Sequence, residues 1–65
     1  MPFIDVKLYR GRLNEKTERE LIERLTAAVV DVFGEPIRDQ TWIVLNEIEP
    51  QRWGIGGRPG NALAD

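Results

Sequence analysis

An α/β protomer is predicted by this sequence: a single β-α-β unit with two parallel strands, one crossover helix and a short C-terminal hairpin, assembled into an oligomer. Three observations lead there. A period-two apolar pattern opens the chain, a long period-3.6 pattern follows it, and a continuous run of β-formers, Thr41 to Leu45, comes third. With the helix between them, the right-handed crossover rule makes the two strands parallel neighbours.

In the first strand Ile4, Val6 and Leu8 alternate with Asp5, Lys7 and Tyr9, which reads as one buried face. Phe3 and Tyr9 place apolar area on the second face as well. Pro2 precedes the pattern, at a position where a missing N–H costs no ladder bond. Gly11, between Arg10 and Arg12, is the turn residue. Asn14 then suits a helix N-cap, with Glu15 and Glu18 placing negative charge in the first turn. Leu21, Ile22, Leu25, Ala28, Val29, Val32 and Phe33 recur at helical spacing, while Glu15 to Arg19 and Glu20 to Arg24 form i, i+4 pairs on the wet side. Gly34 supplies the stop and Pro36 lies two residues beyond it. The run Thr41-Trp42-Ile43-Val44-Leu45 is too short for a helix and suits a strand covered on both faces. Glu47 and Glu49 read as its solvated end, the alternative for Glu47 being to help position an arginine. In Trp53-Gly54-Ile55-Gly56-Gly57 the glycines imply tight turning, a hairpin expected to pack on a neighbouring subunit. Residues 1–65 form one domain, of which 58–65 read as a loosely ordered tail.

A chain of 65 residues buries only about 60% of the surface that it exposes when unfolded, so it needs a further source of stability. With no Cys and no His, neither a disulfide nor a zinc site supplies it, which leaves unusually good packing or association with copies of itself. The sheet argues the same way. One helix covers one face of two strands, and the face bearing parts of Phe3, Tyr9 and the Thr41 to Leu45 run stays open. A net charge of −2 with no basic run argues against nucleic acid as a partner. No apolar stretch approaches the roughly 20 residues of a membrane span, and the N-terminus lacks a signal-peptide pattern, so no membrane partner and a cytoplasmic location are expected.

The same missing residues prune the chemistry. Ser-His-Asp and Cys-His nucleophiles are excluded, as are imidazole and thiolate metal sites. Proton transfer must then draw on carboxylates, Lys7, Lys16, Tyr9 or an N-terminal amine. The α-amino group has the reference pKa nearest neutrality, about 7.7–8.0. Proline in second place permits removal of Met1, after which Pro2 is a secondary amine at the tip of a strand.

Pro2 behind Met1, a strand ending in Gly11-Arg12, one amphipathic helix, then TWIVLNEI running into RWGIGG together resemble the 4-oxalocrotonate tautomerase family, the short-chain branch of the tautomerase superfamily. The resemblance covers residues 2 to 57 and rests on the order and spacing of the motifs rather than on any one of them. It implies a homohexamer built as a trimer of dimers, a small-molecule 2-oxo acid or enol as substrate, and no cofactor or metal. It implies that Pro2 acts as general base and then acid, and that Arg12 holds the carboxylate of a substrate bound by a neighbouring subunit. Trp53 falls on the aromatic before GIGG, the family's apolar wall beside the amine.

One position departs from the family. Its second arginine lands on Trp42 counted back from Trp53, or on Thr41 counted forward from Pro36. Arg38, Arg10 and Arg52 are the alternative cations, and Trp42, Tyr9 and Arg38 complete the expected substrate-binding set. The departure points away from a dicarboxylate and toward a monocarboxylate or aryl-substituted enol. Two alternatives stay open: a non-catalytic self-assembling scaffold of the same fold, and hydratase or dehalogenase chemistry with a protonated Pro2.

Overall fold

The structure, a computed structural model, describes residues 1–60. Strand β1 spans Phe3–Tyr9, helix α1 Glu15–Phe33 and strand β2 Trp42–Ile48; β3, Gly54–Ile55, and β4, Arg58–Pro59, make a terminal hairpin. β1 and β2 are parallel, in register from Phe3 opposite Trp42 to Tyr9 opposite Ile48. This is the predicted β-α-β unit with its C-terminal hairpin. Two 3-10 segments were not legible beforehand: Glu35–Gln40 leads into β2, and Pro50–Arg52 leads into the hairpin.

Local chemistry explains where each element stops. Asn14 Oδ1 accepts the Thr17 N–H at 2.9 Å while Thr17 Oγ1 accepts the Asn14 N–H at 2.8 Å, a reciprocal capping box. At the other end Gly34 adopts φ 98° and donates its N–H to the Val30 carbonyl at 2.7 Å. Between β3 and β4, Gly56 and Gly57 take φ values of 61° and 82°, the two positive angles that a two-residue hairpin turn requires. Of the expected helix ion pairs, Glu20–Arg24 forms at 3.5 Å, whereas Glu15–Arg19 is not among the ion pairs of the described residues. Glu15 is exposed in the first turn, where solvent weakens any such attraction.

Residues 58–60 of the expected loose tail are ordered against the rest of the chain. Arg58 and Pro59 are strand β4, and Gly60 is buried with its N–H on the Trp53 carbonyl at 2.7 Å. A Cβ at Gly60 would stand 2.7 Å from the Pro50 carbonyl oxygen and 2.7 Å from the Tyr9 hydroxyl, so only glycine fits. Residues 61–65 of the expected tail lie outside the described residues.

Half-buried Ile4, Val6 and Leu8 alternate along β1 with exposed Phe3, Asp5 and Lys7. On β2, Ile43 and Leu45 are half-buried while Trp42 and Val44 are exposed, so the continuous apolar run is covered on one face only within the chain. From α1, Leu21, Leu25 and Val29 are half-buried, but Ile22, Ala28, Val32 and Phe33 of the predicted stripe remain exposed. Two strands about 5 Å apart are narrower than that stripe. Among the described residues no apolar side chain is fully buried, and Val32, Phe33, Phe3 and Trp42 are 74%, 70%, 57% and 56% exposed. The radius of gyration, 14.8 Å, exceeds the roughly 11 Å of a compact chain of this length. The chain is flat, with extents of 44 × 25 × 14 Å. No helix among the described residues is long and apolar enough to cross a membrane.

Candidate active site

Parallel pairing sorts the candidate residues into two groups. Pro2 and Trp42 lie together at the N-terminal ends of β1 and β2, where the Trp42 N–H donates to the Pro2 carbonyl at 3.0 Å. Arg12, Tyr9 and Trp53 lie at the C-terminal ends, just past the pair of Tyr9 with Ile48. Seven strand residues separate the groups, about 20 Å of extended backbone. One chain therefore does not bring Pro2 and Arg12 onto one small molecule. The described residues enclose no pocket.

At the Pro2 end the neighbouring side chains are apolar. Phe3 and Trp42 share the open face of the sheet, and Pro2 itself is half-buried. Thr41, the other residue aligned with the missing arginine, donates its hydroxyl to the Ile37 carbonyl at 2.8 Å and closes the 3-10 segment. Arg38 leaves that segment bound to Glu35, with Nε 2.7 Å from Oε1 and a second contact of 3.4 Å to Oε2. Hydrogen bonding and then charge from Arg38 hold the Glu35 carboxyl below its ordinary range, and Glu35 in turn raises the pKa of Arg38. The Arg38 cation is thus already paired.

On the open face, Asp5 accepts from Lys7 Nζ at 2.6 Å and from Asn46 Nδ2 at 2.6 Å. The Lys7 hydrogen bond is the main cause that holds the Asp5 carboxyl below its usual range; desolvation opposes it, and the Lys7 charge and Asn46 add smaller contributions in the same direction as the hydrogen bond.

The Arg12 end is built from aromatics and an ordered turn. Trp53 meets Tyr9 edge to face, with ring centroids 5.0 Å apart at 69°, and its indole N–H lies 3.3 Å from the Ile48 carbonyl. Gly11 turns the chain at φ 97°. Glu47 Oε2 accepts the N–H groups of Gly11 and Leu13, at 2.8 and 3.4 Å. Arg10 pairs with Glu49. Arg12, exposed, has no carboxylate partner among the described residues, and neither has Arg52. Of the cations considered from the sequence, Arg10 and Arg38 are engaged within the chain, while Arg12 and Arg52 are available to a ligand. The Tyr9–Trp53 pair and the packing of Gly60 beneath it were missed by sequence reading; the only available signal was a glycine two residues beyond Arg58.

The family model described as tautomerase enzyme matches residues 2–62. A 2-hydroxymuconate tautomerase from Comamonas testosteroni is 33% identical over 58 residues, covering 88% of this chain and 87% of its own. TomN, a 4-oxalocrotonate tautomerase homologue of the tomaymycin biosynthetic pathway, superposes with a TM-score of 0.82 at 34% identity, over 94% of this chain and 91% of its own. A heterohexamer 4-oxalocrotonate tautomerase from Chloroflexus aurantiacus J-10-fl gives a TM-score of 0.81 at 25% identity, over 97% and 98% of the two chains. The match spans nearly the whole chain and the solved structures share its β-α-β fold, so the chain belongs to the 4-oxalocrotonate tautomerase family.

Proposed function

We propose that the protein is a cofactor-independent tautomerase that moves a proton in the enol or dienol forms of 2-oxo acids, with Pro2 as base and then acid once Met1 is removed. The observation that carries this is the separation of Pro2 from Arg12 along β1, in a protomer whose apolar faces are uncovered. A second copy that covers those faces in the opposite direction brings the Arg12 end of one protomer to the Pro2 end of another. Met1 is 73% exposed and lies outside β1, so its removal disturbs no strand pairing.

In this reading the Pro2 nitrogen takes the enol hydroxyl proton, the oxygen becomes a carbonyl, and the carbon–carbon π electrons take a proton from the prolinium. Negative charge rises on oxygen during the step. A guanidinium presented by Arg12 of the neighbouring protomer binds the carboxylate and stabilises that charge. Trp53, carried on the same end as Arg12, and Trp42, beside Pro2, give the site apolar walls, with Tyr9 backing Trp53. Such surroundings disfavour the protonated amine and keep the base neutral. Trp42 in place of a second arginine, with Arg38 held by Glu35, supports a monocarboxylate or aryl-substituted enol over a dicarboxylate. A homohexamer, a trimer of dimers in the cytoplasm, is the assembly that this reading carries.

The test is ketonisation of enol-phenylpyruvate, followed by ultraviolet absorbance, on protein whose mass establishes that Met1 is gone. Pro2→Ala lowers kcat by about a hundredfold or more, the scale of a lost general base. Arg12→Ala raises KM by about 10- to 100-fold, the scale of a lost hydrogen bond to a charged group. Full activity in the Pro2→Ala protein, or in protein that keeps Met1, rules the proposal out.

A further inference from the structure

The structure assigns Glu47 as a positioning residue that holds Arg12 in place without neutralising it, an inference that rests on the reading of Arg12 as the carboxylate clamp. The turn between β1 and α1 carries five backbone donors, Arg10 to Asn14. Each has a partner: Arg10 N–H to the Ile48 carbonyl at 3.0 Å, Gly11 N–H to Glu47 Oε2 at 2.8 Å, Arg12 N–H to the Tyr9 carbonyl at 3.4 Å, Leu13 N–H to Glu47 Oε2 at 3.4 Å, and Asn14 N–H to Thr17 Oγ1 at 2.8 Å. One carboxylate oxygen from β2 therefore anchors the residues on both sides of Arg12. Glu47 reaches them across more than 30 positions of sequence, from a half-buried place in the last turn of the strand.

A carboxylate this near an arginine would ordinarily take the guanidinium. Glu47 is instead committed to two main-chain N–H groups, and the arginine two residues earlier, Arg10, is taken by Glu49. The two acids at the end of β2 thus divide the work. Glu49 binds the arginine that is not the clamp; Glu47 fixes the backbone that carries the one that is. Charge-assisted hydrogen bonds from main-chain donors are stronger than neutral ones, which suits a brace on a turn whose residues Gly11 and Arg12 are exposed. A clamp whose backbone is fixed loses less freedom on binding its ligand.

The experiment is a cycle in the processed protein, with enol-phenylpyruvate and its methyl ester as paired substrates. Glu47→Ala raises KM for the acid about tenfold, the scale of one hydrogen bond to a charged group, with kcat nearly unchanged. It leaves the ester alone, and it adds nothing in an Arg12→Ala background. Glu47→Gln, which keeps an acceptor oxygen, restores most of the affinity. If Glu47→Ala changes acid and ester alike, or changes neither while Arg12→Ala weakens the acid, the inference is wrong and the clamp reading stands. If Arg12→Ala itself leaves KM unmoved, both fail. Should Glu47→Ala not fold, the native protein decides: the amide proton resonances of Gly11 and Leu13 must follow the titration of the Glu47 carboxyl, and amides that ignore it overturn the brace.

Discussion

Two inactive variants should make an active enzyme when their chains are mixed. The perturbation is Pro2→Ala in one population and Arg12→Ala in the other, co-refolded or co-expressed at equal amounts. In each protomer the two residues stand at opposite ends of β1, about 20 Å apart along seven extended residues, so a site holding both must draw them from different chains. In a random mixture, half of the sites receive a native Pro2 and half of those also receive a native Arg12. Ketonisation then recovers to about one quarter of the wild-type rate in a symmetric assembly, from parents that each run at about a tenth or less. The assay is initial rate at subsaturating enol, with native mass spectrometry to verify that chains have exchanged. A mixed assembly that runs only at the mean of its parents would mean that both residues serve one site from one chain. The argument from strand length would then be wrong.

Other consequences are local. Gly60→Ala drives a Cβ to 2.7 Å from the backbone oxygen of Pro50, which has little room to retreat, and to 3.0 Å from Trp53 Cβ; overpacking of this kind costs about 1–3 kcal/mol, read as a lowered Tm with loosened Trp53 fluorescence. Acid stability follows Asp5 and Glu35. Both carboxyls have folded-state pKa values below their ordinary ones, so their contribution is complete above the ordinary carboxylate pKa and is lost as pH falls through the lowered values. Unfolding midpoints in urea should be flat from neutrality to mildly acidic pH and fall below it, with a shallower fall in an Asp5→Asn, Glu35→Gln double variant; an identical slope counts against those pairs.

The elements legible in the sequence are those whose signals are local. Alternation in Ile4, Val6 and Leu8, the Asn14 and Gly34 boundaries of α1, and paired glycines in the hairpin each state a backbone preference within a few residues. Burial was less legible. Leu21, Ile22, Leu25, Val29, Val32 and Phe33 carry one period, yet the chain covers only some of them, because periodicity records what is covered in the whole assembly and not by which copy. Gly60 was read as tail since its constraint comes from Tyr9 and Pro50, distant in sequence. Charge pairing behaved in the same way: Arg10 and Arg38 looked as available as Arg12 until Glu49 and Glu35 were found on them.

The uncovered faces and the divided site have one geometric origin. Parallel strands put both N-terminal ends together and both C-terminal ends together, so a β-α-β unit is polar: Pro2 and Trp42 at one end, Arg12, Tyr9 and Trp53 at the other. The 19 residues of α1, rising about 1.5 Å each, do no more than return the chain along the length of the strands. Nothing in that path closes the two ends on each other. Two such units set side by side in the same direction would again leave each kind of end among its own kind. Set in opposite directions, the same units place each Pro2 end beside an Arg12 end, and a two-fold axis does this twice at once. If the proposed site draws Pro2 from one chain and Arg12 from another, an association that covers Phe3, Trp42, Val32 and Phe33 completes it only when the protomers are antiparallel, and a parallel assembly would bury the same apolar area and leave that site incomplete.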